Sequence, residues 1–350
     1  MHSRRDAIHT GLGLAAALAL PLGPAFAQSS RSGAAMRKPA RLRQGDTVGL
    51  VEPAGFTDDT FDLALIRQTI AAMGLVPKVA PHVGSRFGYL AGKDRERAED
   101  LNAMYADKDV RAVFAIRGGW GSARILPYLD WATIRANPKL LIGFSDITAL
   151  HMAFAARAGF TTIHGPTAAS AWTEFSWNAF RPLVFDAQTP LYGPLKGSED
   201  RLVQRGGQVR TFRPGKASGR LLGGNLTVLT ALMGTPYLPS FDGAILFIED
   251  TNEAEYRIDR MLTQLALGGV LRRVAGVVFG QCTDCRGNGP SFGGFTLSEV
   301  LKQHLEPLGV PAFQGAPIGH VPNQVSIPVG TRAEIDAEAG TIRILEPAVA

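Results

Sequence analysis

The sequence predicts an α/β protein of two domains, the first built on a parallel sheet with helices on both faces. Three observations carry that prediction. Between Asp46 and Ile163, short apolar segments alternate with amphipathic stretches, the order that lays strands side by side through helical crossovers. At 350 residues the chain exceeds what one core usually fills. A looser run of Trp, Pro and Gly with scattered charge, 168–215, separates this region from a second set of strands and helices. Composition narrows the class further. With 45% hydrophobic residues the chain is too apolar for a disordered tail, and two cysteines are too few for a disulfide scaffold or a four-cysteine zinc module. The net charge of +5 comes with no basic stripe among aromatics, which argues against a nucleic-acid partner.

Residues 1–27 read as an export signal. Arg4 and Arg5 open it, the apolar run Gly11 to Leu20 follows, and Ala25-Phe26-Ala27 supplies a small-x-small cleavage site. Ten helical residues rise about 15 Å, half of a bilayer core of about 30 Å, so the run is too short to stay as a span. Ser3-Arg4-Arg5 resembles a twin-arginine signal, although Ala7 and Ile8 depart from its usual continuation. The expectation is a periplasmic protein with no stable membrane insertion after cleavage, led by a small, polar tether over 28–40.

Residues 41–167 form the expected first domain. Asp46–Val51 reads as a strand and Glu52-Pro53-Ala54-Gly55 as the turn out of it. Phe61–Met73 is helical, with Leu63, Ile66, Ile70 and Met73 on one stripe, and Val76–Val83 is a second strand. Asp94–Ala106 is an amphipathic helix that turns Ala98, Leu101 and Tyr105 inward. A strand at Arg111–Ile116, a helical region at Ser122–Asn137 and a strand at Leu140–Ile142 follow, then a helix at Ile147–Arg157 and a strand at Thr161–Ile163. In the expected second domain, 216–350, the pattern gives helices at Leu221–Met233, Tyr256–Leu267 and Leu297–Leu305. Its strands are Ala244–Ile248, Val274–Phe279 and a short one at Thr341–Leu345.

Parallel sheets bind ligands beyond the carboxyl ends of their strands. Three such ends carry reactive groups. Ser145, in Ile142-Gly143-Phe144-Ser145-Asp146, sits at a strand-to-helix turn where its hydroxyl can project into a cleft; the other reading is an N-cap by Ser145 or Asp146. Ile116-Arg117-Gly118-Gly119-Trp120-Gly121 concentrates glycine after a buried strand, as a backbone nest for an oxyanion or a purely structural turn. Its spacing is not the G-x-G-x-x-G of a dinucleotide site. Glu249 ends an apolar strand, where it can orient a histidine or cap the following helix.

Among the histidines, His151 reads as packed or surface, His304 as solvent-facing, and His164 as a residue that closes a strand and can line the cleft. His320 lies on a Gly- and Pro-rich loop that can hold a base rigidly. No clustered metal-ligand motif occurs, so neither metal nor cofactor is expected. Cys282-Thr283-Asp284-Cys285 precedes a loop rather than a helix, and reads as a structural pair, reduced or joined, rather than a redox catalyst.

Taken in order, Ile116–Gly121, Ile142–Thr148, Gly223-Gly224-Asn225-Leu226, Leu246–Asp250 and Gly319-His320 resemble the LD-carboxypeptidases, or muramoyltetrapeptide carboxypeptidases, over roughly residues 40 to 345. The resemblance implies a flavodoxin-like parallel-sheet N-terminal domain, a smaller β-rich C-terminal domain and a catalytic cleft between them. It implies Ser145 as nucleophile, His320 as base, Glu249 as the acid that orients it, and the N–H groups of Gly119 and Asp146 as the oxyanion hole. Murein peptides, cut at the L-D bond before the terminal D-alanine, are the implied substrate, and a homodimer the implied assembly. Arg117 and Asn225 are candidates for recognising the terminal carboxylate. Two alternatives stand beside this. Microcin C immunity peptidases share the triad and act on acyl-nucleotide conjugates, for which Trp172 and Trp177 leave an aromatic clamp open. An exported binding protein on the same scaffold would keep the three side chains apart.

Overall fold

The computed structural model describes residues 35–57, 63–195, 208–285 and 294–350. The expected export signal, most of the tether, the first residues of the expected helix at Phe61 and the loop directly after Cys285 lie outside the described residues.

The first half of the chain runs β1 (Thr47–Val51), α1 (Leu63–Ala72), β2 (Val76–Val79), α2 (Asp94–Ala106), β3 (Val110–Ala115), α3 (Ser122–Ile125) and α4 (Trp131–Ala136). It continues through β4 (Leu140–Gly143), α5 (Thr148–Ala153), β5 (Thr162–His164) and α6 (Glu174–Val184). Strands β5, β4, β3, β1 and β2 lie parallel in that spatial order. Alternate residues serve opposite faces, as the pleat requires. Ala112, Phe114, Leu140 and Ile142 share one core with Ile66 and Ile70 of α1 and with Phe180, Leu183 and Val184 of α6. Val113, Ala115 and Leu141 share the other with Leu101 and Tyr105 of α2 and Leu150 of α5. The single helical region expected at Ser122–Asn137 is broken. Pro127 lies in a short 3-10 turn, and Asp130 caps a new helix by accepting the N–H groups of Ala132 and Thr133 at 3.0 Å.

The second half contains β6 (Leu191–Tyr192), β7 (Arg210–Arg213), β8 (Lys216–Asn225), α7 (Leu226–Ala231), β9 (Ile245–Thr251), α8 (Glu255–Leu267) and β10 (Gly276–Thr283). After these come α9 (Leu297–Leu305), β11 (Ala312–Gln314), β12 (Ile327–Val329), β13 (Arg332–Asp336) and β14 (Thr341–Ile344). Eight of these strands form a second sheet in the order β6-β14-β13-β8-β9-β10-β11-β7, with β8 to β11 parallel in its middle. It carries more strands than the first sheet's six.

Three expectations change. Leu221–Met233 is not one helix: its first part, Leu221–Asn225, completes β8 beside β9, and only Leu226–Ala231 coils. Gly223 and Gly224 decide this, since they hold φ +143° and +140° and a Cβ on Gly223 would lie 1.8 Å from the Phe247 carbonyl oxygen. Segment 168–215 supplies α6 to the first core and β6 and β7 to the second sheet. And β12 leaves the second sheet's region to pair antiparallel with β5, joining Ile327 to His164.

Among the described residues no helix is long and apolar enough to cross a membrane. The core that contains Leu150 of α5 also contains Leu246, Phe247 and Ile248 of β9, so one apolar mass joins the two sheets. The strand ends that carry the reactive groups meet above it.

Candidate active site

Ser145 lies two residues beyond β4, after Phe144, and its backbone is left-handed with φ +63°. That conformation costs a non-glycine residue about 1–2 kcal/mol and persists only where the surroundings enforce it. The surroundings here are close. A Cβ on Gly143 would lie 3.0 Å from Ile147 Cγ1 and 3.1 Å from Ala115 Cβ. A Cβ on Gly118 would lie 3.0 Å from Ser145 Cβ. Glycine at both positions lets the ends of β3 and β4 close around the hydroxyl. Ser145 makes no side-chain cap to the turn or helix that follows, which removes the capping reading.

The hydroxyl instead meets a histidine far along the chain. Ser145 Oγ lies 3.0 Å from His320 Nε2, and His320 Nδ1 lies 2.8 Å from Glu249 Oε2. With its Nδ1–H donated to the carboxylate, the imidazole leaves Nε2 to accept the serine O–H. Glu249 is fully buried near the end of β9 and does not cap α8, whose N-terminal residue Ala254 has no side-chain cap. Gly319 makes the approach possible. It holds φ +111°, and a Cβ there would sit 2.7 Å from Glu249 Oε2. Such a chain can move a proton from hydroxyl to imidazole while the carboxylate holds the tautomer.

Beside the hydroxyl, the N–H groups of Gly119 and Asp146 have no acceptor among the described residues. The loops that carry them are tied together. Asp146 Oδ2 accepts the Ser122 N–H at 2.7 Å, and the Asp146 carbonyl accepts the Ser122 hydroxyl. Burial pushes the Asp146 carboxyl upward from its ordinary range, against the Ser122 hydrogen bonds and the Arg97 charge. A cavity of about 350 Å³ opens over these groups, lined by Arg117, Gly119, Ser145, Thr167, Ser170 and His320 among others.

Residues 48–165 match the model for the LD-carboxypeptidase N-terminal domain, and residues 218–335 match that for the C-terminal domain. The chain belongs to the LD-carboxypeptidase family. A Bacillus subtilis relative described as a probable murein peptide carboxypeptidase is 36% identical over 308 residues, covering 87% of this chain and 93% of its own. The solved muramoyltetrapeptide carboxypeptidase of Oxalobacter formigenes aligns with a TM-score of 0.73 at 29% identity, over 85% of this chain and 97% of that one. The microcin C7 self-immunity protein MccF, in its wild-type apo state, aligns with a TM-score of 0.79 at 25% identity, over 90% of this chain and 100% of that one.

In this member of the family the two substrate-recognition candidates separate. Arg117 reaches the cavity wall, with Nη1 donating to the Phe56 carbonyl at 2.8 Å. Asn225 is committed elsewhere: its Nδ2 donates to Asp250 Oδ1 at 3.0 Å, and its Oδ1 caps α7 by accepting the Val228 N–H at 3.1 Å. Asp250, the other member of the acidic pair, also accepts the N–H and hydroxyl of Thr227, and burial raises its carboxyl to about 6. Trp172 and Trp177 pack on each other and on Phe180, against the α1/α6 core rather than in the cavity.

His164 is fully buried against Phe144 and Phe247, and burial drives its pKa well down. His151 is buried too, bonded to Thr162 and the Gly143 carbonyl, and burial lowers it to about 4. His304, expected to face solvent, pairs with Asp259 at 2.6 Å. Cys282 and Cys285 are joined.

Arg97 and Ser122 went unremarked in the sequence. Arg97 is buried and donates to the carbonyls of Pro53 and Gly121, bridging the loops after β1 and β3. A signal was present: Arg97 lies four residues before Leu101 and so on the inward stripe of α2.

Proposed function

We propose that the protein is a serine carboxypeptidase that removes the terminal D-alanine of murein tetrapeptides. The observation that carries this reading is the hydrogen-bonded chain from a strained Ser145 through His320 to buried Glu249. His320 Nε2 takes the Ser145 proton as Oγ attacks the carbonyl between the L-centre of diaminopimelate or lysine and D-alanine. Glu249 stabilises the imidazolium, and the N–H groups of Gly119 and Asp146 hold the oxyanion, where loss of one donor costs about 3 kcal/mol. His320 then protonates the leaving amine, D-alanine departs, and water repeats the sequence on the acyl-enzyme. Arg117 suits the terminal carboxylate, which a guanidinium binds in two parallel hydrogen bonds. The relatives named as murein peptidases support the substrate class. The reading of residues 1–27 as an export signal supports a reaction on the murein side of the membrane.

The likeness to MccF favours a second reading, in which the same groups cleave an acyl-nucleotide conjugate. The packing of Trp172 and Trp177 outside the cavity weighs against it. One assay separates the two: purified protein is given a murein tetrapeptide, the corresponding tripeptide, and a glutamyl sulfamoyl adenosine. D-alanine from the tetrapeptide alone supports the peptidase. Release of the nucleotide without D-alanine supports the second reading, and turnover of neither leaves a binding protein.

A further inference from the structure

The loop that carries His320 is stitched to the end of β10. The Gln281 N–H donates to the Ile318 carbonyl at 2.9 Å, Gln281 Nε2 to the Ala316 carbonyl at 3.2 Å, and Thr283 Oγ1 to the carbonyl of His320 itself at 2.7 Å. Gly280 allows the approach, since a Cβ there would lie 2.6 Å from the Ile318 oxygen. These residues face the loop because β10 is bulged. Phe279 pairs with Ile248 and Cys282 with Asp250, so Gly280 and Gln281 together stand opposite the single residue Glu249.

Thr283 is held on two further sides. Its carbonyl accepts the Asn252 N–H at 2.9 Å and the Thr251 hydroxyl at 3.2 Å. It also lies inside the ring closed by the Cys282–Cys285 disulfide, whose Cα atoms are 5.4 Å apart. Beyond His320, the loop is tied through the Gln324 N–H to Ser176 of α6. Before His320 the loop is tied to β10 and, through the Pro317 carbonyl, to the Val325 N–H at 2.8 Å.

We propose that the bulged, disulfide-closed end of β10 is the device that positions His320, with Gln281 and Thr283 as positioning residues and the disulfide as the brace that fixes Thr283. The inference rests on the reading of His320 as the base. A base must stand within hydrogen-bond reach of both its partners, and a displacement of about 1 Å costs on the order of 100-fold in rate. The hydroxyl of Thr283 bears on the His320 carbonyl oxygen, two bonds from the side chain's own Cα. A dithiol-disulfide pair survives oxidised in the exported compartment that the N-terminal signal implies.

The test compares wild type, Thr283→Val, Thr283→Ser and the double variant Cys282→Ser/Cys285→Ser in D-alanine release. Thr283→Val is expected to lower kcat about 10-fold with KM within about twofold, and Thr283→Ser to restore most of it. Dithiothreitol transfers two electrons and two protons to the disulfide, giving the Cys282 and Cys285 thiols as the reagent closes to its own cyclic disulfide. That reduction should lower wild-type kcat and leave the double variant unchanged. Titration of the His320 imidazole by NMR, assigned against His320→Gln, should shift between wild type and Thr283→Val. Equal kcat and an unmoved titration in Thr283→Val, or loss of kcat and thermal stability together without rescue by Thr283→Ser, would overturn the proposal. If wild type releases no D-alanine, the peptidase reading fails, and the NMR titration still decides this one.

Discussion

The two halves of the site are held by different means. On the first sheet, Ser145, Asp146 and Gly119 belong to turns that close within 30 residues of chain, and their geometry comes from a left-handed backbone and glycines that admit close contact. On the second sheet, Glu249 and His320 are 71 residues apart and meet through side-chain hydrogen bonds, a glycine at Gly319 and the stitch to β10. Ser145 is therefore set mainly by local backbone and His320 mainly by tertiary contacts. Strain is stored on one side and long-range pairing on the other.

The largest test of this contrast removes the Ser145 hydroxyl. Ser145→Ala is expected to lower D-alanine release by about 10⁴-fold or more while circular dichroism and Tm stay near wild type. Activity within tenfold of wild type would break the assignment of the first half. Next, Glu249→Gln keeps the shape of the second half but loses the charge that holds the imidazole; kcat should drop by about 10³- to 10⁴-fold with little change in KM.

A pair of glycine substitutions sharpens the comparison. Gly319→Ala puts a methyl 2.7 Å from Glu249 Oε2 at a φ of +111°, and about 100-fold in kcat is expected to be lost. Gly118→Ala crowds Ser145 Cβ at 3.0 Å, where a small shift relieves the contact, and about 10-fold is expected. The reverse order in steady-state assays would mean that the Ser145 turn is the less tolerant half.

The smallest effect concerns stability and pH. His151 is buried beneath the Ser145 turn with its pKa lowered to about 4, below the 6.5 of an unfolded histidine. Between those values the unfolded chain binds the proton and the folded one does not. Stability from this group is thus whole above pH 6.5 and lost as pH falls toward 4. From pH 6.5 to 5, wild type should lose about 2 kcal/mol more than His151→Gln in urea titrations. Comparing the two proteins cancels Asp250, which works in the opposite sense because its carboxyl is raised to about 6.

Much of the first sheet was legible because its signals are local. The apolar runs of β1, β3 and β4 and the stripes of α1 and α2 fall where their periods place them. The helix expected at Leu221–Met233 failed because β8 enters it with an apolar run that fits either element. What decides for strand is the Phe247 backbone packed against Gly223, and Phe247 lies 24 residues away. In the sequence, Asn225 reads as a recognition group by its place in a motif. Only the fold reveals that Asp250 and the cap of α7 occupy its amide.

By itself the sequence determined the strand–helix alternation, the family to which the chain belongs and the residue types at each strand end, since side-chain period and turn glycines act over a few residues. Tertiary structure decided the rest. It brought Ser145 to His320 across 175 residues, returned β12 to the first sheet, and set the Thr283 hydroxyl against the His320 carbonyl. Such meetings depend on which apolar faces bury each other, and no local pattern records that choice.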